Sequence, residues 1–413
     1  MRSRLVCFKH IAYALISLAL LACGFEVGLR VYDSYTGELT TARDDGSTVT
    51  ARCWWTHHRL KPLFTATQLH PDTLSEIRIH TNSFGVRGRE VAVPKPQGVF
   101  RVICLGDETT FAPETDEEDT FCGRLEVLLQ ARTRLKVEVL NAGVPGYCPL
   151  LAFLLARHSL LSLEPDLFVL NFDMSDVADD HEYRRDVRAR LGMPLACPHP
   201  ALETHRRQND ESGRLRLLTP GWCKSHIGLL AGPADRPEDR RDIDTPQGRY
   251  AWLRDDPPDW SLYIEQALSP IGQLHEMALQ ARVSFMLAVI PAPWQISSGA
   301  CSGREAREQA GIPANTVYKN RGPFEILEQY AAERQIRFVD ASQVFVRAEQ
   351  PEKLYLHNAP RLSVEGHALY ARILERTILR TEPGSKSGPS KEHPDPGPVR
   401  EAAHETHGRR WPR

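Results

Sequence analysis

Short apolar runs alternate with stretches of helical periodicity over residues 98–380. The runs lie at 99–105, 137–140, 166–172, 285–290 and 336–339. Their length and their Val, Ile, Leu and Phe content are typical of buried strands. Apolar residues at helical spacing occur at 120–134, 150–163, 262–281, 324–334 and 364–379. This alternation predicts an α/β fold, a three-layer, doubly wound sandwich with a five-stranded parallel sheet and helices on both faces.

Three segments lack this rhythm. Residues 31–97 are polar and mixed, and we interpret them as a juxtamembrane segment that follows a signal anchor or signal peptide at 1–30. Residues from about 177 to 260 are charged, rich in proline and weakly periodic, which predicts a long surface insertion. Residues 381–413 contain six prolines and little apolar surface, so we expect a disordered tail.

An apolar run at 11–25 follows the basic residues Arg2, Arg4 and Lys9. Its 15 residues are short for ~30 Å of hydrocarbon, but residues 5–29 together are long enough. A signal anchor is the favoured interpretation, while a cleaved or lipidated signal peptide and a buried soluble helix remain open. The basic flank predicts a cytoplasmic N-terminus. We therefore expect a membrane-anchored protein with its domain outside the cytoplasm, in the periplasm or on the cell surface.

Charge and cysteine spacing limit the partners. Lys and Arg number 51 against 53 Asp and Glu, a balance that gives no support to nucleic-acid binding. The nine cysteines include no C-x-x-C pair, which argues against a zinc site. The acidic residues of 173–181 fit a solvated loop better than a divalent cation site. We predict no metal and no cofactor.

Ligands of open α/β sheets bind beyond the carboxyl ends of the strands. Four loops are expected to converge there. They read Gly-Asp-Glu-Thr-Thr-Phe at 106–111, Asn-Ala-Gly-Val-Pro-Gly-Tyr at 141–147, Phe-Asp-Met-Ser-Asp at 172–176, and Asn-Ala-Pro-Arg-Leu-Ser-Val-Glu-Gly-His at 358–367.

In this order and on these elements, the four loops resemble the motifs of the SGNH (GDSL) hydrolases. That family carries G-D-S, N-x-G-x-x-G, G-x-N-D and D-x-x-H-x-x-x-x-G at the corresponding places. Two further segments look like those of membrane-tethered bacterial members. They are the N-terminal apolar run and the seven residues Asn-Ser-Phe-Gly-Val-Arg-Gly at 82–88. The resemblance implies an SGNH hydrolase-like domain over 98–380, with a flavodoxin-like sheet.

The catalytic positions implied by the resemblance are substituted. They are Glu108 for the nucleophilic serine, Ser175 for the oxyanion asparagine, Asn358 for the aspartate and Arg361 for the base histidine. Gly146 keeps the glycine of the second motif, and Asp107 and Thr109 flank position 108 as further candidates for the oxyanion or ligand site.

These substitutions remove the parts that nucleophilic acyl transfer needs. A carboxylate at Glu108 is a poor acyl acceptor, and Arg361 accepts no proton at neutral pH. We therefore predict no serine esterase activity. A bidentate Glu108–Arg361 ion pair is the favoured arrangement, while two unrelated surface charges and a reshaped catalytic site that uses Glu108 remain open. We also expect Ser363 to cap the last helix.

Three functions remain open. The first is a non-catalytic protein that binds a glycan or an acyl-ester ligand. The second is an ester hydrolase or acyltransferase with a rewired site that uses Glu108. The third is a structural, membrane-tethered protein.

Overall fold

The computed structural model describes residues 13, 16–18, 20–29, 48–202 and 248–381. The predicted anchor at 5–29 therefore lies only partly within the described residues. The middle of the predicted insertion and the tail beyond 381 lie outside them. No helix of the described ranges is both long and apolar enough to cross a membrane.

The described part of the chain alternates strands and helices. The strands are β1 (Thr50–Arg52), β2 (His58–Leu60), β3 (Thr65–Leu69), β4 (Glu76–His80), β5 (Val99–Gly106), β6 (Lys136–Gly143), β7 (Leu167–Phe172), β8 (Arg188–Arg190), β9 (Met193–Ala196), β10 (Ser284–Val289) and β11 (Arg337–Asp340). The α-helices are α1 (Glu108–Phe111), α2 (Phe121–Arg132), α3 (Pro149–His158), α4 (Asp176–Arg184), α5 (Ser261–Gln280), α6 (Arg304–Ala310), α7 (Gly322–Glu333), α8 (Ser342–Val346) and α9 (Val364–Thr381).

Five strands form one parallel sheet in the order β11-β10-β7-β5-β6. Numbered along the chain, this is the flavodoxin-like order 2-1-3-4-5. Each predicted strand coincides with one of these five, and their ends differ by at most three residues. The predicted α/β class and the five-stranded parallel sheet are confirmed. The strand order reverses between β5 and β7, the position where ligands bind in open sheets.

Helices cover both faces of the sheet. Residues 102–105 of β5 are fully buried because their side chains alternate between two apolar cores. One core includes residues of α3, α5 and α7, and the other includes residues of α2 and α9. The predicted helix at 150–163 ends at His158, and a 3-10 helix, Leu160–Leu163, follows it.

Residues 48–97 pack against the carboxyl edge of the sheet. They form two antiparallel hairpins, β1–β2 and β3–β4. The Tyr147 hydroxyl donates to the His58 carbonyl at 2.7 Å, and the backbone N–H of Arg87 donates to the Asn141 carbonyl at 3.1 Å. The sequence did not predict these hairpins. Each one buries few residues, so its strands lack the apolar pattern by which strands are recognised.

The predicted insertion contributes to the core at both of its described ends. Val177 and Ala178 of α4 are buried, as are Trp252 and Leu253 on the far side of residues 203–247. The Trp252 indole N–H donates to the Met174 carbonyl at 2.9 Å. These ends therefore help to shape the loop that follows β7.

Candidate active site

Glu108 and Gly146 meet at the carboxyl edge of the sheet. Glu108 opens α1 directly after β5, and Asp107 caps this helix by accepting the Thr109 N–H at 2.8 Å. The Gly146 N–H donates to Glu108 Oε2 at 2.7 Å. Gly146 has a φ of +75°, and a Cβ there would lie 3.2 Å from the Tyr183 hydroxyl. Glycine is therefore suited both to the backbone angle and to the space.

Arg361 reaches Glu108, but its shorter contact is with another carboxylate. Its Nη2 lies 3.6 Å from Glu108 Oε1, whereas its Nη1 donates to Glu114 Oε1 at 2.7 Å. The predicted proximity of Glu108 and Arg361 is observed, but the predicted bidentate geometry is wrong. The guanidinium is shared because the loop after α1 brings Glu114 to its other side.

Charge and burial act in opposite directions at this pair. Burial raises the pKa of Glu114, and the positive charge of Arg361 limits that rise. Burial by itself lowers the pKa of Arg361, but Glu114 and Glu108 outweigh it and the net shift is upward. Arg361 thus remains a cation, and its buried Nε has no hydrogen-bond partner.

Arg87 fixes the loop that presents Glu114. This buried side chain donates from Nη1 to the carbonyls of Phe111 and Ala112, and from Nη2 to that of Thr115 at 2.6 Å. Sequence reasoning missed both Glu114 and this role of Arg87. The motif at 82–88 drew attention to Arg87. However, the carbonyl groups that Arg87 binds lie more than twenty residues further along the chain, so the motif did not indicate this role.

Asn358 is held by the β3–β4 hairpin. The backbone N–H groups of Asn358 and His357 donate to the two carboxylate oxygens of Asp72 at 2.8 and 2.7 Å. The Asn358 side chain donates to the Pro71 carbonyl at 3.3 Å. The resemblance placed Asn358 with Arg361, but these hydrogen bonds direct it to the hairpin instead.

Ser363 caps α9 as predicted, since its Oγ accepts the Gly366 N–H at 3.2 Å.

The loop after β7 is a network of carboxylates. Thr109 Oγ1 donates to Asp173 Oδ2 at 3.1 Å, and the Ser175 N–H donates to Asp173 Oδ1 at 2.9 Å. Burial raises the pKa of Asp173, and the hydrogen bonds from Ser175 oppose that rise. Burial also raises the pKa of Asp107, with Asp173 and Glu108 adding to it. The Ser175 backbone N–H is thus engaged by Asp173.

A second arginine balances this network. Arg249 Nη1 lies 2.7 Å from Asp179 Oδ1. Burial raises the pKa of Asp179 to about 7, although Arg249 opposes the shift. Sequence reasoning missed this pair because the two residues are separated by most of the predicted insertion.

Aromatic and imidazole rings border the Gly146 side of the site. His58 Nε2 lies 2.7 Å from the Pro145 carbonyl, and the His57 and Tyr183 rings have centroids 4.9 Å apart. In the described ranges, no group of three or more His, Cys, Asp and Glu side chains is arranged to hold a metal ion.

The sheet order and the helices on both of its faces give the chain a three-layer α/β fold with a flavodoxin-like sheet. No family model matches the chain, and no curated protein matches it. Solved structures with a similar fold include a catalytic mutant of an acetylxylan esterase from Geobacillus stearothermophilus, at 14% identity and a TM-score of 0.35, covering 68% of this chain and 94% of that one. A GDSL-like lipase from Bacteroides thetaiotaomicron is 12% identical with a TM-score of 0.36, covering 71% and 93%. A lipase/acylhydrolase from Enterococcus faecalis is 12% identical with a TM-score of 0.37, covering 68% and 95%. These similarities concern the fold alone.

Proposed function

We propose that this chain is a membrane-tethered SGNH hydrolase-like protein without serine esterase activity, which binds a glycan or an acyl-ester ligand beside Glu108. Residues 5–29 would provide the tether, with the domain outside the cytoplasm. The observation that carries the proposal is the Glu108 carboxylate on the Gly146 N–H at 2.7 Å.

This contact supports the loss of catalysis in two ways. The position that the resemblance gives to a nucleophilic hydroxyl holds a carboxylate. That carboxylate also takes a backbone N–H of the kind that stabilises an oxyanion during acyl transfer. A bound ester would have to displace Glu108 before its carbonyl oxygen could reach Gly146.

Neither Arg361 nor His367 supplies a base. Arg361 is a cation between Glu108 and Glu114. His367, on the last helix, accepts the Phe121 N–H at Nδ1 at 3.3 Å, and burial lowers its pKa to about 3. It is therefore neutral, fully buried and committed to a structural hydrogen bond, so it cannot activate a nucleophile at the site.

Ligand binding is supported by the groups that remain accessible. Glu108 and Arg361 are 16% and 24% exposed, and Asp173, Arg249 and Tyr183 are also half-buried. Both charge signs and an aromatic ring thus border the site. Such a mixture suits a neutral polar ligand with hydroxyl or carbonyl groups, as glycans and acyl esters have.

Calorimetric titration tests this proposal directly. Full-length protein would be titrated with an acetylated oligosaccharide and with a short-chain acyl ester, beside the Arg361→Gln variant as a matched control. We expect binding to the unmodified protein that is weaker in the variant, with no product formed. No heat with either probe would contradict the ligand-binding part of the proposal.

A rewired hydrolase is the second candidate, and one observation favours it. Asp107 and Asp173 lie next to Glu108, and their raised pKa values would let one of them act as a proton donor. Turnover of short-chain nitrophenyl esters by the unmodified protein, lost in Glu108→Gln, would establish this alternative. Equal background rates in both proteins would exclude it.

A further inference from the structure

The β8–β9 hairpin presents an apolar residue at its tip. Leu191 and Gly192 join the two strands, and Arg190 pairs with Met193. Both turn residues have left-handed backbones, with φ angles of +51° and +77°. Turns of this kind favour Asn, Asp or Gly at the first position, because other side chains are strained there. Leu191 is present nevertheless, and it is 100% exposed.

The hairpin is basic and firmly attached. Residues 188–196 contain two arginines and no acidic residue, and both Arg188 and Arg190 are exposed. Arg157 of α3 donates to the Pro194 carbonyl at 3.1 Å, and Gln273 of α5 donates to the Gly192 carbonyl at 3.2 Å. These bonds hold the hairpin against two helices with its tip directed into solvent.

Other leucines share part of this description. Leu63 and Leu74 also have left-handed backbones and are 72% and 71% exposed. Neither is flanked by arginines, and Leu74 lies between the acidic residues Asp72 and Glu76. Among these three leucines, only Leu191 is wholly exposed and lies in a hairpin whose charged residues are all arginines.

We propose that this hairpin docks on an anionic lipid bilayer, with Leu191 entering the interface and Arg188 and Arg190 contacting lipid phosphates. Transfer of the Leu191 side chain from water into the interface favours binding, and so does the electrostatic attraction of the arginines to the negatively charged lipid surface. A soluble polyanion would satisfy the arginines and leave Leu191 in water. The proposal does not depend on the chemistry at Glu108.

Amide hydrogen exchange tests this docking. Full-length protein would be combined with nanodiscs of phosphatidylcholine alone, or of phosphatidylcholine mixed with phosphatidylglycerol. We expect residues 188–193 to exchange more slowly with the anionic discs, while the β3–β4 hairpin exchanges equally with both. Equal exchange of 188–193 with both lipids, or no association with either disc, would overturn the proposal.

Two variants separate docking from folding. Leu191→Asn places a favoured residue in the turn, so the hairpin should stay folded while its lipid-dependent protection is lost. Arg188→Gln combined with Arg190→Gln should weaken docking by about 30-fold, since each arginine contributes roughly a fivefold preference for an anionic surface. Residues 5–29 are unchanged in all variants, so any association that they cause is common to them. Protection that persists in both variants would contradict the proposed contact.

Discussion

Replacing Arg361 with methionine would leave the Glu114 carboxylate without the guanidinium that it faces at 2.7 Å. Glu114 is only 5% exposed, so water cannot replace this partner without a rearrangement of the loop. The contact of Arg361 with Glu108 is longer, at 3.6 Å, and its loss should matter less. The stability of the domain should therefore fall mainly through Glu114.

The magnitude follows from the burial of the two groups. Removing one partner of a buried ion pair costs about 3–5 kcal/mol. Arg361 is 24% exposed, which screens the pair, and its buried Nε has no partner, so losing that atom returns about 1 kcal/mol. We expect Arg361→Met to lower the free energy of unfolding by about 2–3 kcal/mol near neutral pH.

The loss should depend on pH in a definite direction. Burial already raises the folded-state pKa of Glu114 above its unfolded value, and without Arg361 it should rise further. A carboxyl with a raised folded pKa contributes stability below its unfolded pKa and loses it as the pH rises through the folded pKa. The difference between Arg361→Met and the unmodified protein should thus be small near pH 4 and grow towards neutrality.

Urea unfolding of both proteins at about pH 4.5 and about pH 7.5 measures this difference. The double variant Arg361→Met, Glu114→Gln is the matched control, because it removes the uncompensated charge and should recover most of the loss at neutral pH. Equal stability of Arg361→Met and the unmodified protein at neutral pH would refute the reasoning. A loss that is the same at both pH values, or that persists in the double variant, would do so as well.

Three further predictions concern the loops around the site. Glu108→Ser alone should yield no ester turnover in a nitrophenyl ester assay, because Arg361 beside the new hydroxyl accepts no proton and His367 is held in a structural hydrogen bond; turnover would show that another group acts as the base. Asp72→Ala should speed amide exchange at residues 357–358 and cost about 1 kcal/mol, since two exposed hydrogen bonds are lost, and unchanged exchange would contradict this. Asp179→Asn should gain stability relative to the unmodified protein as the pH rises through about 7, because the raised folded pKa of Asp179 means that its stabilising contribution is lost there. A constant difference in urea unfolding from about pH 5 to about pH 8 would be the opposing result.

Local sequence patterns were sufficient to predict the sheet. The run Val102 to Leu105 is apolar at every position because β5 is covered on both faces, and this pattern ends where the strand ends. The N-cap role of Ser363 was also predictable, because its partner, the Gly366 N–H, lies in the first turn of the same helix. Such signals need neighbours within a few residues, which a single sequence displays.

The surroundings of Glu108 could not be predicted in this way. Its setting depends on contacts such as Arg361 with Glu114, Asp72 with Asn358, and Arg87 with the loop after α1, which are distant along the chain. The sequence around a polar residue does not indicate which distant residue it will contact. The prediction of a bidentate ion pair was wrong for this reason. The sequence motifs pointed to Glu108 as the partner of Arg361, whereas in the structure Arg361 contacts both Glu108 and Glu114.

Covalent labelling with a fluorophosphonate, read by intact-mass spectrometry, tests the central claim most directly, because this reagent requires an activated hydroxyl. We predict no adduct on the full-length protein, since Glu108 holds the nucleophile position and its carboxylate accepts the Gly146 N–H. An adduct on the unmodified chain, abolished by mutation of a hydroxyl residue in the loop after β5, would contradict the account.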